Sequence, residues 1–294
     1  MTGILMGIVQ DGLIYGIMAL GIYISLRILN FPDLTVDGSF PLGMAVSTFC
    51  LLRGVNPYLC ILISALAGAA AGAVTGFFHV KLKIRDLLSG IITMTALYSI
   101  NYTIVGKPNE FLDMQAPTIF SIIPKTAPGA LYSLRYLIIS LAIAVIIKLL
   151  LDRYLETKSG FLLRGAGDNE RLVVTLAQNP GSVKILGLSL ANALVATAGA
   201  INLQYTRSFN VSAGTGTLVM GLAAVIIGTS LFARARHVKL TTGVLVGMII
   251  YKGCISLAMQ AGLQAKDTNL IVAALFVITL LASRSSKKGG DRIC

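Results

Sequence analysis

The residues whose types could do chemistry are concentrated in one stretch, Arg27 to Gly43, between two strongly apolar segments. This stretch carries two carboxylates and three neutral polar side chains, at Asn30, Asp33, Thr35, Asp37 and Ser39. It also contains prolines and glycines, which a continuous helix tolerates poorly, at Pro32, Gly38, Pro41 and Gly43. A helix broken at membrane depth must line water or be covered by protein, because lipid cannot satisfy the freed backbone groups. The stretch is therefore a candidate pathway for a solute or an ion; the alternative is a short cytoplasmic turn whose aspartates cap a helix.

The composition indicates helices that cross a membrane several times. The chain has 294 residues, of which 55% are hydrophobic and only 12% are charged, and its mean hydropathy is +0.82. In a soluble domain about a quarter of the residues are charged. Several apolar runs reach the roughly 20 residues that cross a bilayer. The sequence therefore predicts an all-α polytopic membrane protein with one transmembrane domain over residues 1–294.

Apolar segments must position these side chains. Their number predicts eight to nine transmembrane helices. The segments lie at 4–29, 38–52, 58–80, 87–105, 134–151, 185–203, 215–232, 240–259 and 268–282. The second is short for a full span, so it could be a re-entrant half-helix or the second half of a split helix. In the third, Gly68, Gly72 and Gly76 recur every four residues, which predicts close packing against another helix. The fourth segment carries Asn101 and other polar residues, and it is predicted to face the interior of the bundle.

The basic residues predict which side of the membrane each loop faces. Of the 24 lysines and arginines, 16 lie at segment ends within 81–85, 148–184, 234–239 and 284–292. Because cytoplasmic loops carry an excess of these residues, the four ends and the C-terminus are predicted to be cytoplasmic. The side of the N-terminus depends on whether the second segment spans. The net charge of +12 has the same origin and does not indicate a nucleic-acid partner.

The basic loop 152–184 contains the second informative stretch. Asp168 and Asn169 follow two glycines and are predicted to cap a helix. The positions after them are apolar at helical spacing, at Leu172, Val173, Leu176 and Ala177. The pattern predicts an amphipathic helix of about ten residues that ends at Asn179-Pro180-Gly181. Such a helix either rests on the membrane surface or docks into a soluble partner.

Two motifs carry a resemblance to a known transporter family. Asp33-Leu-Thr-Val-Asp-Gly-Ser39 resembles the Asp-Leu-Ser-Val-Gly signature of permeases in the branched-chain amino acid and ribose family of ATP-binding cassette importers. The loop 164–181 is similar to the ATPase-docking loop of that family, and residues 214–228 resemble a later part of it. The subgroup that it resembles most is paired with lipoprotein binding proteins for aromatic amino acids or related small solutes.

The resemblance implies a type II-like importer permease of a bacterial inner membrane, with no catalytic activity of its own. Two copies would form the pathway, a pair of ATPases that bind ATP and magnesium would dock on the cytoplasmic loop, and an extracytoplasmic lipoprotein would deliver an amino acid or a related small polar solute. The resemblance implies that Asn30, Asp33, Thr35 and Asp37 lie at or near the pathway; Ser39 of the same stretch and Asn101 of the polar fourth segment are predicted as pathway residues with them. The implied ATPase-coupling residues are Arg164, Gly167, Asp168, Asn169, Glu170 and Arg171. Asp37 departs from the ribose-type signature; it could favour a substrate with an ammonium group, or it could equally be a cap.

Two rival classes of function make different demands on the residues. An ion-coupled secondary transporter would use Asp33 or Asp37 as a proton or sodium site. A membrane-embedded enzyme would need clustered histidines or acids, and the chain has two histidines and few intramembrane acids. The sequence contains no P-loop motif, so ATP must be bound by a partner, and no cofactor or metal is predicted for this chain. Gly214-Thr-Gly216 is too short to cradle phosphates and is interpreted as a flexible entry to a packed helix.

One short match raises the question of an internal repeat. His79-Val-Lys-Leu82 recurs as His237-Val-Lys-Leu240, both times at a predicted cytoplasmic helix end. Transporters often contain internal repeats. A single tetrapeptide match in an apolar, lysine-bearing context is nevertheless more often due to chance.

Overall fold

Ten α-helices form nearly all of the regular structure in the part of the chain that the structure describes. The structure is a computed structural model, and it describes residues 2–121, 129–232 and 239–260 together with residue 277. The helices are α1 (Thr2–Ile22), α2 (Val36–Leu52), α3 (Pro57–Val80), α4 (Asp86–Val105), α5 (Gly129–Leu155), α6 (Lys158–Asp168), α7 (Glu170–Thr175), α8 (Pro180–Thr206), α9 (Thr217–Leu231) and α10 (Leu240–Gln260). Six of them are long and apolar enough to cross a membrane, whereas α2 and α9 are shorter apolar helices. The predicted all-α polytopic fold is confirmed; the predicted segment 268–282 lies outside the described residues, apart from residue 277.

The bundle has two distinct ends. At the ribbon end, β1 (Asn109–Phe111) pairs antiparallel with β2 (Ser208–Asn210). The opposite end is called the basic end, because the basic residues of the predicted cytoplasmic segment 148–184 lie there. At this end α6 and α7 connect α5 to α8. The connection between α4 and α5 contains β1 and a 3₁₀ turn at Ile119–Ser121, and its residues 122–128 lie outside the described residues.

α1 crosses the bundle from the ribbon end to the basic end. Gly12 and Gly16 face Ile249 and Leu245 of α10, so the two helices run antiparallel. α1 continues as a π-helical turn to Ile28, which contacts α6 at the basic end. The N-terminus therefore lies at the end opposite to the basic connector.

The second apolar segment is the second half of a split crossing. After Ile28 the chain turns back into the bundle through residues 29–35, and α2 begins level with the middle of α8, where Ser39 donates a hydrogen bond to Asn192. α2 then runs to the ribbon end. Its 17 residues span about 26 Å, less than the roughly 30 Å of a bilayer core. Residues 29–35, which lead into α2, cover the remaining thickness of the bilayer core.

α9 is a second half-helix, and it points in the opposite direction. The chain leaves β2 at the ribbon end, re-enters the bundle through residues 211–216 and begins α9 beside Asp37. The 15 residues of α9 run to the basic end, where Gly228 packs against the backbone of Gly243 in α10. The N-termini of α2 and α9 therefore meet inside the bundle.

The two split crossings run in opposite directions, as in the inverted topology of many transporters. α1, α2 and α3 correspond to α8, α9 and α10, which follow in the same order and run in the opposite direction. The possible repeat of the tetrapeptides that begin at His79 and His237 stays untested, because His237 lies outside the described residues.

The glycines of α3 allow it to pack closely against α8. A Cβ atom placed on Gly72 would lie 2.2 Å from the carbonyl oxygen of Leu188. On Gly68 it would lie 2.4 Å from the carbonyl oxygen of Asn192. The predicted packing face of the third segment is confirmed, and α8 is its partner.

The connector at the basic end is shorter than predicted. Leu155 ends α5 and Pro180 begins α8, so the connector covers residues 156–179 and not 152–184. Asn179 caps α8 through its side chain, and Pro180 takes the first helical position, where no backbone N–H is needed.

Candidate functional site

Asp37 joins the two half-helices at the point where their N-termini meet. Its Oδ1 accepts hydrogen bonds from the Leu218 N–H at 2.8 Å and from the Thr217 hydroxyl at 2.9 Å. Its Oδ2 accepts a hydrogen bond from the Gly216 N–H at 3.2 Å. A carboxylate at a helix N-terminus satisfies unpaired backbone donors and opposes the positive end of the helix dipole. Asp37 is therefore a cap, and it caps α9 instead of its own helix.

A cavity of about 340 Å³ lies beside this junction. It is formed by α2, α4 and the re-entrant residues 211–215, and its lining includes Asp37, Pro41, Met94, Tyr98, Asn101 and Thr215. Two of the six predicted pathway residues, Asp37 and Asn101, thus face the same space. The lining also contains residues that sequence reasoning had not assigned, such as Tyr98.

Asn101 is held between the cavity and the start of α2. Its side chain is fully buried, and its Nδ2 donates a hydrogen bond to the carbonyl oxygen of Gly38 at 3.1 Å. Its Oδ1 is buried and has no hydrogen-bond partner among the described residues. A buried amide oxygen normally has a partner; this one has no accessible surface, so it is closed off from the cavity that Asn101 lines.

The outer face of α4 next to the cavity is polar. Thr95, Ser99 and Thr103 recur every four residues on this face and are exposed, as are Tyr98 and Tyr102. Polar groups on the outer face of a membrane span suit a water-filled cavity or another protein better than lipid. The prediction that this segment faces the interior is correct for its buried side, which carries Asn101, whereas these hydroxyl groups face outward.

Asp33 and Ser39 are fully buried and share one partner, Asn192 of α8. The Asn192 Nδ2 donates to Asp33 Oδ2 at 2.7 Å, and its Oδ1 accepts from the Ser39 hydroxyl at 2.7 Å. The Asp33 Oδ1 accepts a hydrogen bond from the Thr35 N–H at 2.9 Å. Sequence reasoning had assigned no role to Asn192, although an amide in the middle of an apolar segment is a usable signal.

Thr35 extends this buried network to α3 and α4. Its hydroxyl lies 2.7 Å from that of Thr75, which in turn donates to the Thr93 hydroxyl at 2.9 Å. All three side chains are buried. The network therefore fixes the lead-in to α2 against three neighbouring helices, and a pathway role for its members stays a prediction.

Asn30 lies apart from the other five predicted pathway residues. It is exposed just after the end of the π-helical turn, and its backbone is left-handed, with φ at 52°. Asparagine adopts this conformation more readily than most residues. Asn30 thus makes the turn that sends the chain back into the bundle.

The predicted coupling segment consists of two short helices. Asp168 is the last residue of α6, and Asn169 caps α7 by accepting a hydrogen bond from the Arg171 N–H at 3.1 Å. The predicted ten-residue helix is wrong, because α7 has only six residues, Glu170–Thr175. Gly165 and Gly167 lie inside α6, and Gly167 fits against the carbonyl oxygen of Ile28, where a side chain would clash.

The connector presents apolar side chains at its surface. Val173 is fully buried, whereas Val174 is 59% exposed, and Leu172 and Leu176 are exposed as well. Arg164 and the coupling residues from Asp168 to Arg171 are also exposed, while Gly167 is half-buried. The predicted coupling residues therefore form a surface with both charged and apolar groups.

Ion pairs tie α5 to the start of α10 at the basic end. Asp152 lies 2.9 Å from Lys148 and 3.7 Å from Lys239, and it accepts a hydrogen bond from the Thr241 hydroxyl at 2.6 Å. Lys239 also pairs with Glu156 at 2.7 Å. The hydrogen bond from Lys239 lowers the pKa of Glu156 below its ordinary value.

Residues 4–282 match the family described as the permease component of the branched-chain amino acid transport system. The chain belongs to this family. The permease is therefore a multi-pass membrane subunit of the ATP-binding cassette importer type. The predicted family and the predicted class of function are confirmed.

Curated relatives cover most of the permease. It is 40% identical, over 96% of its length and 92% of the relative, to the "Tyrosine transport system permease protein" of Clostridioides difficile strain R20291. It is 25% identical, over 84% of its length and 74% of the relative, to the "Ribose import permease protein RbsC" of Escherichia coli K12. No solved structure matches the permease significantly.

Proposed function

We propose that this permease pairs with a second copy of itself and forms the pathway of an importer for an amino acid or a related small polar solute. The observation that carries the proposal is the cavity beside Asp37, which adjoins the polar outer face of α4. A second copy that covered this face would enclose a polar channel between the two chains. The relative named for tyrosine transport supports an amino acid as the solute.

The partners follow from the two ends of the bundle. A pair of ATPases, which bind ATP and magnesium, docks on α6 and α7 at the basic end. An extracytoplasmic lipoprotein delivers the solute at the ribbon end. The excess of basic residues at one end supports a cytoplasmic basic end and C-terminus in a bacterial inner membrane. The permease itself moves the solute and carries out no catalysis.

Reconstitution tests this function. Proteoliposomes that contain the permease, its ATPase and its binding lipoprotein should take up labelled tyrosine only when ATP is present. A variant ATPase without its P-loop lysine should abolish uptake, and a proton or sodium ionophore should leave uptake unchanged. Uptake that ignores ATP and collapses with the ionophore would overturn the proposal in favour of an ion-coupled transporter that uses Asp33 or Asp37.

The exposed apolar surface of α7 yields a prediction about ATPase docking. Val174→Asp should lower the amount of ATPase that co-purifies with the permease by at least about tenfold, because a buried apolar contact at the centre of an interface carries much of its binding energy. The melting temperature of the permease should not change, because Val174 is 59% exposed. The measurement is a pull-down with quantified ATPase, combined with a thermal melt of the isolated permease.

Gln178→Asp is the matched control. Gln178 is also exposed on the connector and lies beyond the end of α7. The control adds the same charge at the same end and removes no apolar contact. An equal loss of ATPase in both variants would show that the added charge, and not the α7 surface, is responsible.

A further inference from the structure

We propose that Cys50 and Cys60 form a disulfide bond that ties the end of α2 to the start of α3 at the ribbon end. Cys50 lies in the last turn of α2, and Cys60 lies in the first turn of α3. This inference goes beyond the proposed function, which assigns no role to the cysteines. It rests on one part of that proposal, the extracytoplasmic side of the ribbon end, because disulfides form and persist in oxidising compartments.

The first argument is that the loop between the two helices brings the cysteines together. The Cys50 carbonyl oxygen accepts a hydrogen bond from the Val55 N–H at 3.1 Å. The Cys60 thiol donates to the Val55 carbonyl oxygen at 3.6 Å, so one residue contacts both cysteines. The two thiols also lie within hydrogen-bonding reach of each other. A disulfide needs both sulfur atoms side by side, and this contact supplies that arrangement.

The second argument is that the pair is shielded from its surroundings. Cys60 is fully buried and Cys50 is only 8% exposed, and both pack in the apolar core. Thiol–disulfide exchange depends on access to the sulfur atom. Each thiol therefore meets the other more readily than it meets a soluble thiol, which favours the internal bond over a mixed disulfide.

The bond forms by exchange with an oxidised protein disulfide of the extracytoplasmic space. The thiolate of one cysteine attacks that disulfide and releases one of its sulfur atoms, and the second cysteine thiolate then attacks the mixed disulfide. The pair loses two protons and two electrons in total, and the oxidant gains them and becomes a dithiol. The exchange takes place during membrane insertion, before α2 and α3 bury the sulfur atoms.

The bond fixes the second end of the half-helix α2. The first end is already joined to α9, because Asp37 accepts a hydrogen bond from the Leu218 N–H. The disulfide joins the other end to α3, which packs against α8 through its glycines. A cross-link stabilises a protein mainly by restricting its unfolded chain. We therefore expect the oxidised permease to melt at a higher temperature than the reduced permease.

Differential thiol labelling tests the bond in the membrane of cells that express the permease. The cells are lysed into denaturant with one maleimide, and the protein is then reduced and treated with a maleimide of different mass. Cys50 and Cys60 should carry at least about tenfold more of the second label than of the first, because a structural disulfide resists cellular thiols. Cys254, which is half-buried on α10, should carry the first label. Mostly first label on Cys50 and Cys60, or equal second label on Cys254, would overturn the proposal.

Cys50→Ser and Cys254→Ser are a matched pair of variants. Cys50→Ser removes the bond, so Cys60 should switch to the first label, whereas Cys254→Ser should leave the second label on Cys50 and Cys60. A reductant should lower the melting temperature of the wild type and of Cys254→Ser by about 5 °C or more. It should leave the melting temperature of Cys50→Ser unchanged. Equal shifts in all three proteins, or no shift in any, would overturn the proposal.

Met114→Cys distinguishes a wrong side of the membrane from a wrong pairing. Met114 is 81% exposed at the ribbon end, so a membrane-impermeant maleimide should label this variant in intact cells more strongly than it labels the parent permease. If it does and Cys50 and Cys60 are still reduced, the disulfide is wrong and the proposed function stands. If it does not, the proposed orientation is wrong, and the disulfide fails with it. Uptake of tyrosine by the reconstituted importer tests the proposed function independently of either result.

Discussion

Replacing Gly72 with leucine should prevent α3 from packing against α8 and remove most of the folded permease from detergent extracts. Even the Cβ atom of the new side chain would lie 2.2 Å from the carbonyl oxygen of Leu188. That oxygen belongs to the backbone of a rigid helix, so it cannot rotate away as a side chain would. Overpacking a close contact costs about 1–3 kcal/mol and sometimes more. We expect a cost at or above the upper end of that range, since two backbones meet here.

The measurement is the yield of monodisperse permease on size-exclusion chromatography, together with its melting temperature. Ala70→Leu is the matched control, because Ala70 is exposed on the same helix two residues earlier. Both substitutions add apolar volume to α3 and leave its capacity to insert into the membrane intact. If Gly72→Leu gave the same yield and melting temperature as Ala70→Leu, the close contact between α3 and α8 would be wrong.

The packing face of α3 could be predicted because its signal is local. Gly68, Gly72 and Gly76 follow one another at the helical repeat, and small residues at this spacing indicate that another backbone comes close. The spacing says nothing about which helix approaches. α8 begins about a hundred residues later, and only the folded bundle shows that its Leu188 and Asn192 meet these glycines.

The break after α1 could also be predicted, whereas the break before α9 could not. The first stretch contains Pro32 and two carboxylates, which stand out in an apolar chain, but the expectation that Gly38, Pro41 and Gly43 also interrupt the helix is wrong, since they lie inside α2. The second is entered through Gly214-Thr-Gly216, and this motif was correctly interpreted as the entry to a packed helix. Gly216 adopts a left-handed φ of 81° at the start of α9, and Gly214 fits against the carbonyl oxygen of Asp37. α9 is short because its N-terminus lies at Asp37 inside the bundle. No local sequence pattern shows that contact.

The six predicted pathway residues separated into three groups for a similar reason. Their residue types showed that the stretch is unusual, but polar residues in a membrane protein serve either a solute or the fold. Asp33 is satisfied by Thr35 and Asn192 inside the chain, whereas Asp37 and Asn101 line a cavity. Which polar residues line a cavity depends on neighbours that are far apart in sequence, and these appear only in the structure.

Asp37→Ala should detach α9 from α2 and both destabilise the permease and abolish transport. The substitution leaves the N–H group of Gly216 and that of the buried Leu218 without their acceptor. Hydrogen bonds to a charged group contribute about 1.5–3 kcal/mol each when they are removed singly. We therefore expect a loss of about 3 kcal/mol in the free energy of unfolding and a clear fall in melting temperature.

Asp37→Asn should lower the melting temperature less than Asp37→Ala does, because it replaces only one of the two carboxylate oxygens. The amide keeps one oxygen, which can still accept from Leu218 and Thr217, but its nitrogen cannot accept from the Gly216 N–H. Asp113→Ala is the control: Asp113 is exposed, and its carboxylate accepts a hydrogen bond only within its own turn, from Gln115. The melting temperatures should therefore fall in the order wild type and Asp113→Ala, then Asp37→Asn, then Asp37→Ala. A variant Asp37→Ala that melted like the wild type but failed to transport would mean that Asp37 binds the solute and does not hold α9.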